Sequence, residues 1–230
     1  MEEEIQNRFE QASQYEAFVS SVIPIYSQLP KILLSHLSTL VGSNAKLLDV
    51  GCGTGTNIVT FATHRPDWTF VGLDPEEPML SFAKNKVNSI NVQKRVTFIK
   101  GTVDAIPKEI KFDLATCIFV EHLLPDDGTK HHLIEGIFNN LANGGWLIHA
   151  GIYGDLKTEW AKKRLKTWLE YVSLQGKPKE VLENVRRRAT IEDSLIPEKR
   201  IVEIMENVGF INIEQIYQLQ LFGAWAAQKP

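Results

Sequence analysis

The chain has 230 residues, 43% of them hydrophobic, enough to bury one sizeable core with a small appendage. Its 25 Lys and Arg against 28 Asp and Glu give a formal charge of −3, which offers no broad attraction to nucleic acid or to an anionic membrane. Cys52 and Cys117 stand far apart without companions, so neither a disulfide framework nor a zinc site is indicated. The acidic opening Met1-Glu2-Glu3-Glu4 is no signal peptide, and no apolar run approaches membrane-spanning length, so the expectation is a soluble, cytoplasmic protein.

Residues 5–22 and 25–41 are predicted helical. In the second segment Ile25, Leu29, Ile32, Leu33, Leu37 and Leu40 recur at helical spacing, and Val41-Gly42 ends the run. Strand-like and helical segments then alternate: strand 46–50, helix 55–64, strand 69–73, helix 76–88, strand 95–100, strand 112–118, helix 129–141 and strand 145–152. Such alternation predicts a doubly wound α/β fold around a mostly parallel sheet. Residues 153–196 break the rhythm with polar helices that carry Trp160, Trp168, Tyr171 and an Arg186-Arg187-Arg188 run. Helix 197–208 follows, opened by Pro197 and closed by Gly209. Strands 210–218 and 221–228 come last, and with no helical pattern between them they should pair as an antiparallel hairpin.

The most informative stretch is Leu47-Leu48-Asp49-Val50-Gly51-Cys52-Gly53-Thr54-Gly55. A buried strand runs into glycines at alternate positions and then a helix, whose free N–H groups and dipole favour an anionic group. Glycine lets a ligand lie against the backbone. The spacing is not that of a dinucleotide site, because the third glycine comes one residue early, with Thr56 where that pattern wants it. No Lys-Ser or Lys-Thr follows, which excludes a phosphate-binding P-loop. Phe70-Val71-Gly72-Leu73-Asp74 is a second strand ending in an acid, 25 residues after Asp49, where a doubly wound sheet holds a ribose diol. A glycine turn and a ribose acid without a pyrophosphate site suit a nucleoside with a short zwitterionic tail, S-adenosylmethionine (SAM).

Asp49-Val50-Gly51-Cys52-Gly53-Thr54-Gly55 resembles the first motif of the class I SAM-dependent methyltransferases, and Gly72-Leu73-Asp74 their second. Phe112-Asp113-Leu114, Val120-Glu121-His122-Leu123 and Leu141-Ala142-Asn143-Gly144-Gly145-Trp146-Leu147-Ile148 follow in the family's order. The similarity covers residues 45–150 well and the two ends loosely. It implies a seven-stranded Rossmann-like sheet with an antiparallel last strand. The implied parts are an N-terminal helical cap (1–44), a SAM-binding core (45–152), a helical lid (153–196) and a completion of the core (197–230).

The resemblance also implies a cofactor site. Gly51, Cys52 and Gly53 would pass under the methionine part of SAM, with Asp49 near its amino group. Asn57 would reach the carboxylate, or be an ordinary first-turn residue. Asp74 would hold the ribose or cap the helix that begins at Pro75-Glu76, and Pro75 belongs to the same contact. Met79 would pack beside adenine or simply fill the core. Many relatives place an acid after the third strand to meet the adenine amino group. Here Thr102 stands there, with Val103 offering its N–H and Asp104 a substitute. Phe119 would turn its carbonyl toward the sulfonium. Tyr15, in Gln14-Tyr15-Glu16, is similar to the tyrosine that covers SAM in many small-molecule enzymes, with Tyr26 as a rival.

For catalysis, Glu121 and His122 are the adjacent acid–base pair at this edge, and His titrates near working pH. Helix capping and a structural histidine are the alternatives, and positioning alone can carry methyl transfer to a good nucleophile. His131 and His132 are neighbours on a helix and point apart, so no metal is read. The expected reaction is methyl transfer from SAM to a small-molecule acceptor by a monomer or homodimer, with no membrane or nucleic-acid partner. Val22-Ile23-Pro24-Ile25-Tyr26 and the segment from Gln218 to Phe222 resemble the enzymes that make carboxy-SAM for transfer-RNA wobble uridine. Those relatives alter the first glycine motif, which here keeps the methyl-donor form. A SAM-binding protein without catalysis is the third reading.

Overall fold

The computed structural model describes residues 14–189 and 195–230. The expected helical residues 5–13 and the stretch 190–194 of the expected lid lie outside the described residues. Helix α1 covers residues 14–22, and α2 spans Leu29–Leu40. Strand β1 (Lys46–Val50) leads to α3 (Thr56–His64), β2 (Thr69–Asp74) to α4 (Glu77–Ser89), and β3 (Val96–Lys100) to β4 (Phe112–Ile118). Helix α5 (Thr129–Asn140), β5 (Leu141–Ile152), α6 (Glu159–Leu174), α7 (Lys179–Ala189), α8 (Glu198–Val208), β6 (Ile211–Leu219) and β7 (Phe222–Gln228) complete the order.

The seven strands lie in one sheet in the order β3-β2-β1-β4-β5-β7-β6, as the doubly wound expectation requires. The first five are mutually parallel, and β7 runs antiparallel between β5 and β6. Central strands are buried on both faces, which is why β1 and β4 read as apolar runs rather than alternating ones. One core layer packs Leu133, Ile134 and Ile137 of α5 with Ile201, Ile204 and Met205 of α8. The opposite layer packs Leu33 and Leu37 of α2, Ile58 and Phe61 of α3, and Leu80 and Val87 of α4.

A third apolar cluster joins Val19 and Val22 of α1, Trp168, Leu169 and Val172 of α6, and Val185 of α7 with Leu221 and Phe222 of the terminal hairpin. The Trp168 indole N–H donates to the Val22 carbonyl at 2.7 Å, which ties α6 to the end of α1. Strand β5 begins four residues earlier than the expected 145. Residues 142–145 form a bulge, in which the pairing steps from Phe112↔Leu141 to Leu114↔Trp146 and Gly144 adopts φ +77°. Strand order reverses between β1 and β4, and their carboxyl ends carry Gly51–Gly55 and Phe119–His122. An open α/β sheet binds its ligand at that switch point.

Candidate active site

The chain leaves β1 through a tight turn in which the N–H groups of Gly51 and Cys52 both donate to the Leu73 carbonyl, at 2.7 and 3.0 Å. Gly53 has φ +52°, and a Cβ placed on it would meet nothing within 4 Å, because that side opens toward a cavity. Gly55 has a different reason. It caps α3 at φ +76°, and its Cβ would come within 2.9 Å of the Ala83 Cβ on α4. The early third glycine therefore serves helix packing, and Gly53 serves whatever lies in the cavity.

Two acids stand behind the turn. Asp74 is buried at the tip of β2. One of its oxygens accepts from the Gly53 N–H and the other from the Glu76 N–H, each at 2.9 Å. Burial pushes its carboxyl up, while those two N–H groups oppose the rise. Asp49 is fully buried. Its Oδ1 accepts from the Thr116 hydroxyl at 2.7 Å, while Oδ2 has no hydrogen-bond partner among the described residues. Burial pushes Asp49 up to about 7, against the lowering effects of Thr116 and the Asn57 side chain.

A cavity of about 270 Å³ lies over the turn, between the ends of β4 and β5 and helices α1, α6 and α7. It brings together seven of the residues singled out from the sequence: Tyr15, Gly51, Cys52, Gly53, Asn57, Phe119 and His122. Tyr26 joins them, its ring stacked on Phe119 at 6.1 Å between centroids. Phe119 sits at φ +58°, a left-handed conformation rare for an aromatic residue, and its ring also meets His122 and Phe222 edge-on. No Lys, Arg, Asp or Glu is among the described residues that line this cavity.

Asp49, Asp74, Pro75, Met79, Thr102 and Val103 do not line it. Asp74 and Thr102 are nonetheless neighbours across the ends of β2 and β3, where the Gly101 N–H donates to the Asp74 carbonyl. Thr102 donates weakly to Asp104 at 3.4 Å, and Asp104 pairs with His132 of α5 at 3.0 Å. Val103 is buried against α5, its carbonyl accepting from the Asn140 amide.

Two expectations for catalysis are corrected. Glu121 does not face the cavity. It is buried in the turn after β4, and its Oε1 lies 2.6 Å from the Nζ of Lys130, which is itself fully buried on α5. The Lys130 ammonium also donates to the Glu121 carbonyl at 2.8 Å. A carboxylate so engaged is structural. His122 does face the cavity, yet it does not titrate near neutrality. Burial, with help from Lys130 and His149, holds it down to about 3, so the ring is neutral.

Glu16 was not singled out as functional. From α1 it accepts from the Lys86 ammonium at 2.9 and 3.1 Å and from the Thr56 hydroxyl at 2.7 Å, while Thr56 accepts from Lys86 at 3.0 Å. This clasp fixes the cavity's cover to the first turn of α3. Trp168 both lines the cavity and stitches α6 to α1. Trp160 does not line the cavity and packs on Tyr153 instead. Arg186 borders a separate groove between α6 and α7 with Lys179 and Glu183, and Arg187 donates to Asn184 on its own helix.

Residues 48–147 match a family described as a methyltransferase domain. That match covers under half of the chain and supports the expected class I SAM-dependent methyltransferase fold. It supports the expected enzyme and its expected cofactor, SAM. Along nearly its whole length the chain is similar to carboxy-S-adenosyl-L-methionine synthases. It is 27% identical to that of Campylobacter lari, over 95% of this chain and 92% of the relative. With that of Campylobacter hominis the identity is 29%, over 98% and 97%. Among solved structures, a putative O-methyltransferase from Nostoc punctiforme superposes with TM-score 0.68 at 18% identity, covering 96% of this chain and 60% of that one. Human N-acetylserotonin methyltransferase in complex with SAM gives 0.66 at 16%, covering 98% and 56%. The chain thus spans little more than half the length of those solved chains, and the likeness concerns the fold.

The methyltransferase domain has the features SAM requires. The open side of Gly53 leaves room for a chain to pass over the backbone, and the unpartnered Oδ2 of Asp49 is a buried acceptor suited to an ammonium. The Asp74 carboxylate accepts one N–H per oxygen and keeps lone pairs for hydroxyls. Among the described residues no helix is long and apolar enough to cross a membrane.

Proposed function

We propose that this enzyme transfers the SAM methyl group to a small, uncharged, largely apolar acceptor that carries a nucleophilic O–H, N–H or S–H. The observation that carries this reading is the cavity above the glycine turn. Its walls are aromatic and aliphatic, and no charged side chain is among its described lining residues. An anionic acceptor placed there would lose its hydration with no cation among the described lining side chains to replace it, which costs several kcal/mol or more.

When bound, SAM supplies an electrophilic methyl group on a sulfonium. The protein's share is to position the acceptor and exclude water. Tyr26, Phe119, Trp168 and Phe222 form a packed aromatic wall around the end of β4, and α1, α6 and α7 close over it as a lid. Held near 3, His122 is a weak resting base. It takes a proton from the acceptor only as the new bond to the methyl carbon forms, while the carbon–sulfur bond breaks.

A second reading, carboxy-SAM synthesis, is favoured by the similarity to the Campylobacter synthases over nearly the whole chain. That reaction handles a carboxylate, for which the described lining of the cavity offers no cation. The test is methyl-labelled SAM incubated with a metabolite extract divided into neutral apolar and anionic fractions. Label moving into the neutral apolar fraction supports the proposal, and label appearing only with the anionic fraction, or nowhere, contradicts it.

A further inference from the structure

Behind the cavity wall, His122 backs onto a buried polar region that the proposed chemistry does not use. The Nδ1 of His122 and both ring nitrogens of His149 are buried, and none has a hydrogen-bond partner among the described residues. His149 is fully buried on β5, between Cys117 of β4 and Trp225 of β7. Its Nε2 lies 3.7 Å from Glu121 Oε2, too long for a direct hydrogen bond. Two residues further along β5, Gly151 leaves a space. A Cβ placed there would lie 3.6 Å from His122 Nδ1 and 3.9 Å from His149 Nε2.

Two buried ring nitrogens that face one gap, neither with a partner among the described residues, with a Glu121 carboxylate oxygen 3.7 Å from one of them, are surroundings in which a buried water makes its two to four hydrogen bonds. A water there has two hydrogens to give and two lone pairs to fill. The Glu121 carboxylate is paired with Lys130 and can only accept, so the water donates to it. Two neutral imidazoles can fill both lone pairs by donating, His149 through Nε2–H and His122 through Nδ1–H. With the Nδ1 position protonated, His122 keeps an unprotonated Nε2 for the cavity side.

We infer that a structural water fills the space beside Gly151, and that through it His149 and Glu121 hold His122 in its Nδ1–H tautomer. His149 is thus a positioning residue, and Gly151 makes room for the water. The consequence for catalysis rests on the proposed role of His122 toward the acceptor. The water site and the tautomer do not, and they are measurable without any acceptor.

The experiment is long-range proton–nitrogen NMR of the histidine rings in the full chain saturated with S-adenosylhomocysteine, with His122 identified by loss of its signals in His122→Asn. The expected result is a single Nδ1–H tautomer for His122 in the parent. Gly151 does not lie at positive φ and its nearest neighbours stand at ordinary contact distance, so Gly151→Ala keeps the fold while it displaces the water. His122 should then show averaged tautomers. His149→Phe should do the same, whereas His149→Gln, which restores an N–H donor, should keep the single tautomer. Unchanged S-adenosylhomocysteine affinity by calorimetry shows that each variant is folded. A His122 that carries its proton on Nε2 in the parent, or that stays unmoved in both Gly151→Ala and His149→Phe, overturns the inference. If the tautomer responds as stated but no acceptor loses a proton to His122, the water site stands and the proposed function falls.

Discussion

The Asp74 carboxylate accepts a hydrogen bond from the Gly53 N–H at 2.9 Å, which joins the tip of β2 to the glycine turn after β1. The two sequence motifs are therefore one physical unit, and the acid proposed to meet the ribose also holds the turn proposed to carry the rest of the cofactor. Asp74→Ala removes both. SAM affinity should fall by about 2 kcal/mol, the usual worth of charge-assisted hydrogen bonds, and thermal stability should fall with it as the Gly53 N–H loses its acceptor. Calorimetry and a melting curve read the two effects. Unchanged affinity would remove Asp74 from the ribose.

Asp49 should make SAM binding depend on pH. Burial raises its folded-state value to about 7, so much of it is protonated at neutrality, whereas the ammonium of a bound amino acid favours the carboxylate. Binding then releases a proton. Below pH 7 affinity should weaken toward tenfold per pH unit, and above pH 8 it should level off. Titrations in two buffers of different ionisation heat would report the released proton. Asp49→Asn should bind more weakly and lose this dependence. A parent with flat affinity from pH 6 to 8 would contradict the placement of Asp49 at the ammonium.

The Glu121–Lys130 pair should matter for stability rather than for chemistry. Lys130→Met leaves a buried carboxylate without its cation and should cost about 3–5 kcal/mol, a fall in Tm of roughly 10 °C for a chain of this size. Glu121→Leu combined with Lys130→Met should recover most of the loss, because a buried ion pair contributes little beyond an apolar pair of similar volume. A double variant as unstable as the single one would argue against this account of the pair.

The Glu16 clasp should govern how firmly α1 covers the cavity. Lys86→Met removes two hydrogen bonds to Glu16 and one to Thr56. Amide exchange in residues 14–22 should accelerate by about fivefold to tenfold, equivalent to roughly 1 kcal/mol of local stability, while β1 and β4 keep their protection. Equal loosening in both places would mean that the clasp supports the whole domain rather than its cover.

Much of the fold was legible because its elements are of the kinds whose patterns survive tertiary context. Buried parallel strands such as Leu47–Val50 read as apolar runs, and the absence of any helical signal between 218 and 222 gave the terminal hairpin. The early start of β5 was hidden, because Asn143-Gly144-Gly145 looks like a turn and behaves as a bulge. At the site, the glycines and Asp74 were readable from backbone requirements and from position at strand tips. The direction of Glu121 was not. In a tight turn two adjacent residues face opposite ways, and only the partner decides which way each goes. That partner did leave a trace. Lys130 shares a helical face with Leu133, Ile134 and Ile137, and a lysine on an apolar face calls for a buried counter-charge. Glu16 and Lys86 left none, since 70 residues separate them and each is an unremarkable surface charge in its own helix.

The central claim is that the methyl group itself leaves the sulfonium for an uncharged acceptor in the aromatic cavity. Mass spectrometry of the donor after turnover with the neutral apolar metabolite fraction tests it most directly. The account predicts S-adenosylhomocysteine accumulating one-for-one with a methylated acceptor. A carboxylated sulfonium that retains the labelled methyl carbon, or SAM recovered intact, would contradict it.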